Sequence, residues 1–390
     1  MTSDLSPQEN PHIPARSGLH AGRDRAWLEI DPGAIRHNLQ QVRSAVGPEV
    51  GLIGVVKGDA YGHGAVRIAT TLAQEGVDFF AVATVDEGLE LREGGIGGSM
   101  LILGAVSPQR VEGVVEASLT PIIVSVAHAE ALSRALGDRE LSVHLKIDSG
   151  MCRMGVRWDE IEAACHKLRA LRNLEYEGVL SHFAAAGDDD SFSHSQLSAF
   201  EDAIACAENI LGPFDIIHMG ASQALLSCPR GHFDMVRPGN ILYGSVADID
   251  AGLMPDLRPA MALKARLALV KQIQAGDAVG YGCTYHARAA EYIGVVPVGY
   301  ADGYFRSLSN CADVLIGGRR CPVIGRVSMD STIVRLGPQA FAAAGDEVVL
   351  LGSQGDETIS AEELARRAGT ITQEIFSAMS RRLPRIYRDE

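Results

Sequence analysis

Aromatic residues make up only 5% of the 390 positions, and positive charge is outnumbered, with 35 Lys and Arg against 49 Asp and Glu. Single-stranded nucleic acid is gripped by stacking bases on aromatic platforms, and duplexes by neutralising phosphates with Lys and Arg. A formal net charge of -14 supplies neither, so no nucleic-acid partner is expected, although a local basic pocket for one small anion is compatible. Apolar runs of about 18 residues, the length that spans a bilayer, are missing. Residues 1–24 are rich in Pro, Gly and charge and lack the apolar centre of a secretory signal. They read as a disordered tail on a cytoplasmic protein. The seven cysteines lie singly from Cys152 to Cys321 without a CxxC pair, which excludes a disulfide framework and a zinc site and fits reduced thiols.

What is abundant is glycine, at 42 residues, together with 46% hydrophobic content. That suits an α/β protein with many tight strand-to-helix turns, long enough for one large domain and a smaller one. From Gly51 to about Gly239 short apolar, β-branched runs alternate with amphipathic helical patterns, the signature of parallel βαβ units. Strands are predicted at 51–57, 79–85, 99–106, 120–126, 142–148, 176–183, 214–220 and 234–238. Eight such units match a (β/α)8 TIM barrel, over 25–258. An open doubly wound sheet is the runner-up, but no G-x-G-x-x-G follows the first strand and no Walker A motif occurs. Beyond about Pro259 the pattern becomes alternating strands with Gly-containing turns, which predicts a mainly antiparallel β domain over 259–390. The helical pattern at 360–380 closes it, with Ser360 and Glu363 spaced as a capping box. RAWLEID at 25–31 is strand-like and could pair with that distant domain.

Barrel enzymes place their chemistry at the C-terminal ends of the strands, and here those ends are polar. Lys57 ends the first strand, Lys146 and Asp148 the fifth with Arg153 just beyond, His182 the sixth, His218 the seventh with Ser222 beyond, and Arg237 the eighth. Any one of them alone reads as a surface or packing residue, but the set converges on one mouth. Lys57 follows the apolar GLIGVV and would emerge partly desolvated, with the lowered pKa of a Schiff-base lysine. Ser222 and the Gly239-Asn240 backbone lie where barrels commonly bind phosphate. A Schiff-base lysine and a phosphate site in one cavity imply pyridoxal 5′-phosphate. The acidic run Asp188-Asp189-Asp190 suits a helix entry, and His63, His194 and His218 lack metal-ligand spacing, so no metal is expected.

VVKGDAYGHG (55–64) resembles the cofactor-lysine signature of alanine racemases. KIDSGMCRMGV (146–156), LSHFA (180–184), MVRPGNILYG (235–244), YGCTY (281–285), PVGYADGY (297–304) and VIGRVSMD (323–330) match in order, from about Trp27 to Arg385. The resemblance implies a homodimeric racemase of a small amino acid, L- and D-alanine, serving D-alanine biosynthesis or breakdown. Lys57 would hold the cofactor and exchange the α-proton on one face; Tyr285 would serve the other face in the partner's site, its pKa depressed by nearby Arg and His⁺ charges. His182 would hydrogen-bond that tyrosine, and Arg237 would face both this histidine and the pyridine nitrogen. Tyr61 and Ser222 would bind the phosphate. Arg153 would lie near the phenolic oxygen and the substrate carboxylate, to which Met329 would offer a backbone N–H from the other subunit. Lys146 matches a lysine carbamylated in several relatives; a salt bridge to a nearby carboxylate is the alternative. The chain departs from the family at Arg381, where a tyrosine is typical, at Ala221 and at Ser328. Arg381 could bind the phosphate directly and open the site to serine or larger substrates, or swing out to solvent. Two other readings share the first motif: a non-catalytic pyridoxal-phosphate-binding barrel, which lacks a β domain, and a barrel-type decarboxylase, which lacks YGCTY.

Overall fold

The computed structural model describes residues 23–187, 190–246 and 255–388. The expected tail lies outside them except for Arg23 and Asp24, as do Asp188 and Asp189 of the acidic run; Asp190 opens the helix Asp190–Leu211.

Eight parallel strands form the first architecture: β2 (Gly51–Val55), β3 (Phe79–Val82), β4 (Ser99–Ile102), β5 (Thr120–Ile123), β6 (Leu141–Asp148), β8 (Leu174–Leu180), β9 (Ile216–Ala221) and β10 (Met235–Arg237). They hydrogen-bond in the order β5-β4-β3-β2-β10-β9-β8-β6, and a further β5–β6 pairing closes the ring; a two-residue β7 (Val156–Arg157) adds to β6 outside it. This is the expected (β/α)8 barrel. Alternation along each strand explains its apolar runs, because one set of side chains faces the lumen and the other the helices. Ile53, Val55, Phe79, Ala81, Leu101, Ile122 and Leu180 form one buried cluster, while their neighbours Phe80, Val82, Met100 and Ile102 pack in the larger core under the helices. The remaining strands send His144, Lys146, His218 and Arg237 into buried positions. One side of the lumen is therefore apolar and the other carries ionisable groups.

Several strands end earlier than expected, β2 at Val55 and β8 at Leu180, so Lys57 and His182 stand in the loops just past them. The backbone must turn there to form the mouth, and the polar residues are part of that turn.

The C-terminal domain is built on β11 (Met261–Arg266), β12 (Leu269–Ile273), a hairpin of β13 (Ala278–Val279) with β14 (Tyr285–His286), β15 (Glu291–Val296), β16 (Asp313–Ile316), β17 (Arg319–Pro322), β18 (Thr332–Gly337), β19 (Glu347–Gln354), β20 (Glu357–Ile359) and β21 (Arg385–Tyr387). Its larger sheet runs β17-β16-β19-β11-β1-β21, where β1 is Ala26–Ile30, with β20 beside β19, and a second runs β12-β15-β18. The strand that precedes the barrel, β1 (Ala26–Ile30), lies inside that larger sheet, antiparallel to β11 and parallel to β21, with Leu28 opposite both Leu263 and Arg385. All five of its residues are buried. At the closing helices the capping box is only half formed: Ser360 Oγ accepts from Glu363 N–H at 3.1 Å, but the Glu363 carboxylate is held by Arg320 and Arg367. Two ion pairs outcompete the return bond to the cap. Among the described residues no helix is long and apolar enough to cross a membrane.

Candidate active site

Lys57 begins a turn of unusual hand. Gly58, Asp59, Ala60 and Tyr61 follow with φ of 64°, 56°, 51° and 53°, four successive residues in the left-handed region. Three of these carry a Cβ, and each costs about 1–2 kcal/mol there. The surroundings hold the strain. Glu87 accepts Gly58 N–H and Ala83 N–H on separate oxygens, both at 2.7 Å, which ties the turn to the end of β3. Asp59 Oδ1 accepts Ala65 N–H at 2.8 Å, and His63 Nδ1 lies 3.0 and 2.9 Å from the Ala60 and Tyr61 carbonyls. Gly62, at φ 77°, has no room for a side chain, since a Cβ would stand 2.4 Å from Phe376 O. Strain retained this way is characteristic of functional sites. Its effect is to bring Lys57 and Tyr61, four residues apart, to the same cavity.

That cavity, of about 430 Å³, opens at the mouth of the barrel. Lys57, Tyr61, Lys146, Arg153, His182, Ser222, Arg237, Gly239 and Asn240 all line it, so nine of the anticipated site residues converge. Arg381 does not: it is exposed and outside the lining, as in the solvent-facing alternative. Tyr285 and Met329, on the C-terminal domain, are also outside this chain's cavity, and Met329 is 52% exposed.

The lining contains four Lys and Arg side chains and no Asp or Glu. Burial, Arg153 and Arg237 lower the Lys57 pKa, with Glu87 opposing them. Lys146 falls well below the usual amine range because it is buried near Arg237 and Arg153. Among the described residues it makes no ion pair with a carboxylate, so the salt-bridge alternative is not realised. Arg237 is buried with its guanidinium donating to the Ser181 and Met219 carbonyls at 2.8 and 2.7 Å, to His218 Nδ1 at 2.7 Å and to His182 Nδ1 at 3.1 Å. Burial draws its pKa down to about 9, which leaves it charged at neutral pH. Because both histidines accept from a cation, their protons sit on Nε2. His218 Nε2–H donates to His144 Nδ1 at 2.8 Å, and burial holds both rings neutral. His182 is likewise kept neutral by burial and by Arg237.

A site with this charge calls for anions. Pyridoxal 5′-phosphate with an amino acid brings a phosphate, a phenolate oxygen and a carboxylate, and the residues fit that load. At the far side Ser222 Oγ accepts Gly239 N–H at 3.0 Å and Ile241 N–H at 3.4 Å, while the Tyr61 hydroxyl packs so closely over Gly239 that a Cβ there would lie 2.8 Å from it. The turn after β2 and the loops after β9 and β10 thus bring two hydroxyls together, with Ser222 fixed by two backbone amides, in the place where barrels commonly bind phosphate.

The Tyr285 expectation needs a correction within this chain. Burial and Glu291, to which its hydroxyl donates at 2.5 Å, raise its pKa, with Arg335 opposing. Arg335 is outweighed, and His182 is kept neutral, so the expected depression is not found within this subunit. The sequence reading also missed Glu87, His144 and Gln373. Glu87 is a helix-entry glutamate 30 residues from Lys57, indistinguishable in sequence from a capping residue; His144 sits mid-strand; Gln373 reaches the mouth from the helix Thr372–Ser377 of the other domain. Only the polarity of HLKID could have drawn attention to His144.

Residues 30–247 match the family model described as the alanine racemase N-terminal domain, and residues 260–387 that of the alanine racemase C-terminal domain. The alanine racemase of Desulfovibrio desulfuricans is 42% identical over 364 residues, covering 93% of this chain and 97% of the relative. That of Carboxydothermus hydrogenoformans is 43% identical over 367 residues, covering 93% and 99%. Among solved structures, the alanine racemase of Bacillus anthracis with bound L-Ala-P superposes with a TM-score of 0.89 at 34% identity, covering 94% of this chain and 95% of that one.

Proposed function

The chain belongs to the alanine racemase family, an enzyme that interconverts the enantiomers of alanine, and from that premise we propose that it works as a cytoplasmic homodimer on pyridoxal 5′-phosphate held by Lys57, with Tyr285 of the partner subunit as second base. The observation that carries the reading is the cavity lined by four Lys and Arg side chains and no carboxylate, with a half-buried lysine on a strained turn at its edge.

When bound, the cofactor supplies a conjugated electron sink that makes the α C–H of the amino acid acidic enough to be removed. The protein's residues do the rest. Tyr61 Oη and Ser222 Oγ, the latter set by the Gly239 and Ile241 amides it accepts, would hold the phosphate. Arg237 has an Nε–H and one NH1 hydrogen beyond its four protein contacts, and one of these would face the pyridine nitrogen. A guanidinium there would keep that nitrogen unprotonated, which would limit charge delocalisation into the ring and disfavour side reactions. Lys57, its pKa lowered by burial and by Arg153 and Arg237, takes or returns the α-proton at Nζ on one face. The opposite face is served by the Oη of the partner's Tyr285. His182, with Nδ1 occupied by Arg237, turns its Nε2–H toward that phenol and stabilises the phenolate, offsetting the raised value found in the isolated subunit. Arg153 and the Met329 N–H of the partner orient the carboxylate. Lys146, its pKa drawn well down by burial near Arg237 and Arg153, is the lysine on which a carbamate would turn a repulsive neighbour of Arg153 into an attractive one.

Borohydride reduction of the loaded protein followed by peptide mapping tests the reading. The label belongs on Lys57; finding it on Lys146 overturns the assignment. A wider specificity is supported by Ala221, a small residue in the cavity lining, and chiral chromatography of products from a panel of L-amino acids measures it.

A further inference from the structure

The turn that bears Met329 is fastened from behind by a charged clamp. Asp302 is fully buried and accepts Gly299 N–H at 3.1 Å; Arg25 grips it with two nitrogens, at 2.6 and 3.0 Å, and also donates to Pro297 O at 2.8 Å. Arg382 completes the set. Its Nε lies 3.5 Å from Asp302 and its NH2 donates to Asp330 at 2.7 Å. Against this clamp the loop Gly299–Asp302 presents two successive amides: Tyr300 N–H donates to Ser328 O and Ala301 N–H to Met329 O, both at 3.0 Å. The approach is so close that a Cβ on Gly299 would lie 2.3 Å from Ser328 O and 2.4 Å from Met329 O.

Peptide planarity turns this into a direction. In a trans peptide the N–H points opposite to the C=O of the same unit. Ser328 O shares its peptide with Met329 N, and Met329 O with Asp330 N. With both carbonyls pinned on Tyr300 and Ala301, both amides point away from the clamp, side by side and, among the described residues, without a hydrogen-bond partner. Paired amides of this kind bind carboxylate or phosphate oxygens.

We propose that Asp302 and Arg382 are positioning residues for racemisation: by bracketing the Ser328–Met329–Asp330 turn they aim its two free amides at the substrate carboxylate in the partner's site. This rests on the reading that the C-terminal domain serves the partner's cavity. The Arg382–Asp330 pair is half exposed and as an isolated surface pair would contribute little. Its importance comes from Asp302, whose buried carboxylate fixes Arg382 and the Gly299 loop together.

Arg382→Met keeps the aliphatic stem and removes the clamp, and being a surface change it leaves the fold intact. Misaiming a bond to a carboxylate is expected to raise the KM for alanine about tenfold, with kcat and bound cofactor little changed. Binding of propionate to the holoenzyme, a carboxylate without the amine, weakens in the same proportion by calorimetry, and Arg382→Lys recovers most of both. Asp302→Asn provides a second variant in which the same KM shift should appear. Unchanged KM and propionate affinity in Arg382→Met overturn the proposal, as does a loss of thermal stability, cofactor and kcat with KM unmoved. Mixed dimers separate that failure from failure of the shared-site reading. In a dimer of Lys57→Ala with Arg382→Met subunits, the one competent lysine is served by an intact clamp across the interface and should show normal KM. If KM is raised there instead, the clamp acts within its own subunit, and the shared-site reading falls and takes the proposal with it.

Discussion

Gly239→Ala should cost cofactor affinity more than it costs the fold. Gly239 has φ of -126° with ψ of -93°, between the α and β regions, so the added methyl carries a modest backbone cost that melting of the apoprotein reads separately. It does not meet backbone: its nearest neighbours are the Tyr61 hydroxyl at 2.8 Å, Tyr61 Cζ at 3.4 Å and Val55 Cβ at 3.5 Å. The first is well inside contact distance, so the Tyr61 ring must shift. Tyr61 cannot move freely, because its ring packs 4.9 Å from that of Tyr243, which is itself fastened by a hydrogen bond to Val55 O at 2.9 Å. The hydroxyl is displaced from the phosphate cradle, and one bond to a charged group is lost, about 1.5–3 kcal/mol. That corresponds to about 10- to 150-fold weaker binding of pyridoxal 5′-phosphate. Titration of the apoprotein with the cofactor reads this directly, and thermal melting of the apoprotein should differ from the parent by less than a few degrees. Undiminished cofactor affinity would refute the cradle. A fall in apoprotein melting temperature that accounts for the whole effect would show that Gly239 serves packing instead.

Three further outcomes are expected. Glu87→Gln removes the charge that opposes the lowering of Lys57 by burial and by Arg153 and Arg237, so its amine stays neutral to lower pH; the pH at which cofactor attachment to the apoprotein is half-maximal should move down, and an upward move would contradict the assigned field. Tyr285→Phe should slow racemisation about 10²–10⁴-fold, the usual range for a general acid–base group, in both directions because the equilibrium constant ties them; a parallel loss of bound cofactor would make Tyr285 structural. Arg381→Ala should leave cofactor affinity within about twofold, since the side chain is exposed and outside the cavity lining, and a loss worth a charged hydrogen bond, about tenfold or more, would restore it to the phosphate site.

Periodicity and motif chemistry are local properties, and what they encode was readable. Alternating apolar runs such as FFAV on β3 require a strand buried on both faces, and eight of them interleaved with helices leave few architectures besides a closed barrel. Lys57 stands out because a charged residue directly follows GLIGVV, and the lysine, arginine and histidine at later strand ends must meet once the ring closes. Pairing between distant segments is not contained in any window of the sequence, and that is where the tertiary structure decided. The same RAWLEID that precedes the barrel serves the other domain, because β11 and β21 offer it free edges on both sides. The four left-handed residues after Lys57 carry ordinary side chains at three positions, so nothing local demands that conformation; Glu87, Phe376 and the helix beginning at Ala65 impose it. His144 becomes the end of a hydrogen-bonded chain from Arg237 only through contact with β9. Arg25, Asp302, Asp330 and Arg382, spread over more than 350 residues, acquire a common purpose only when the fold closes a charged pocket around one buried carboxylate that must be neutralised there.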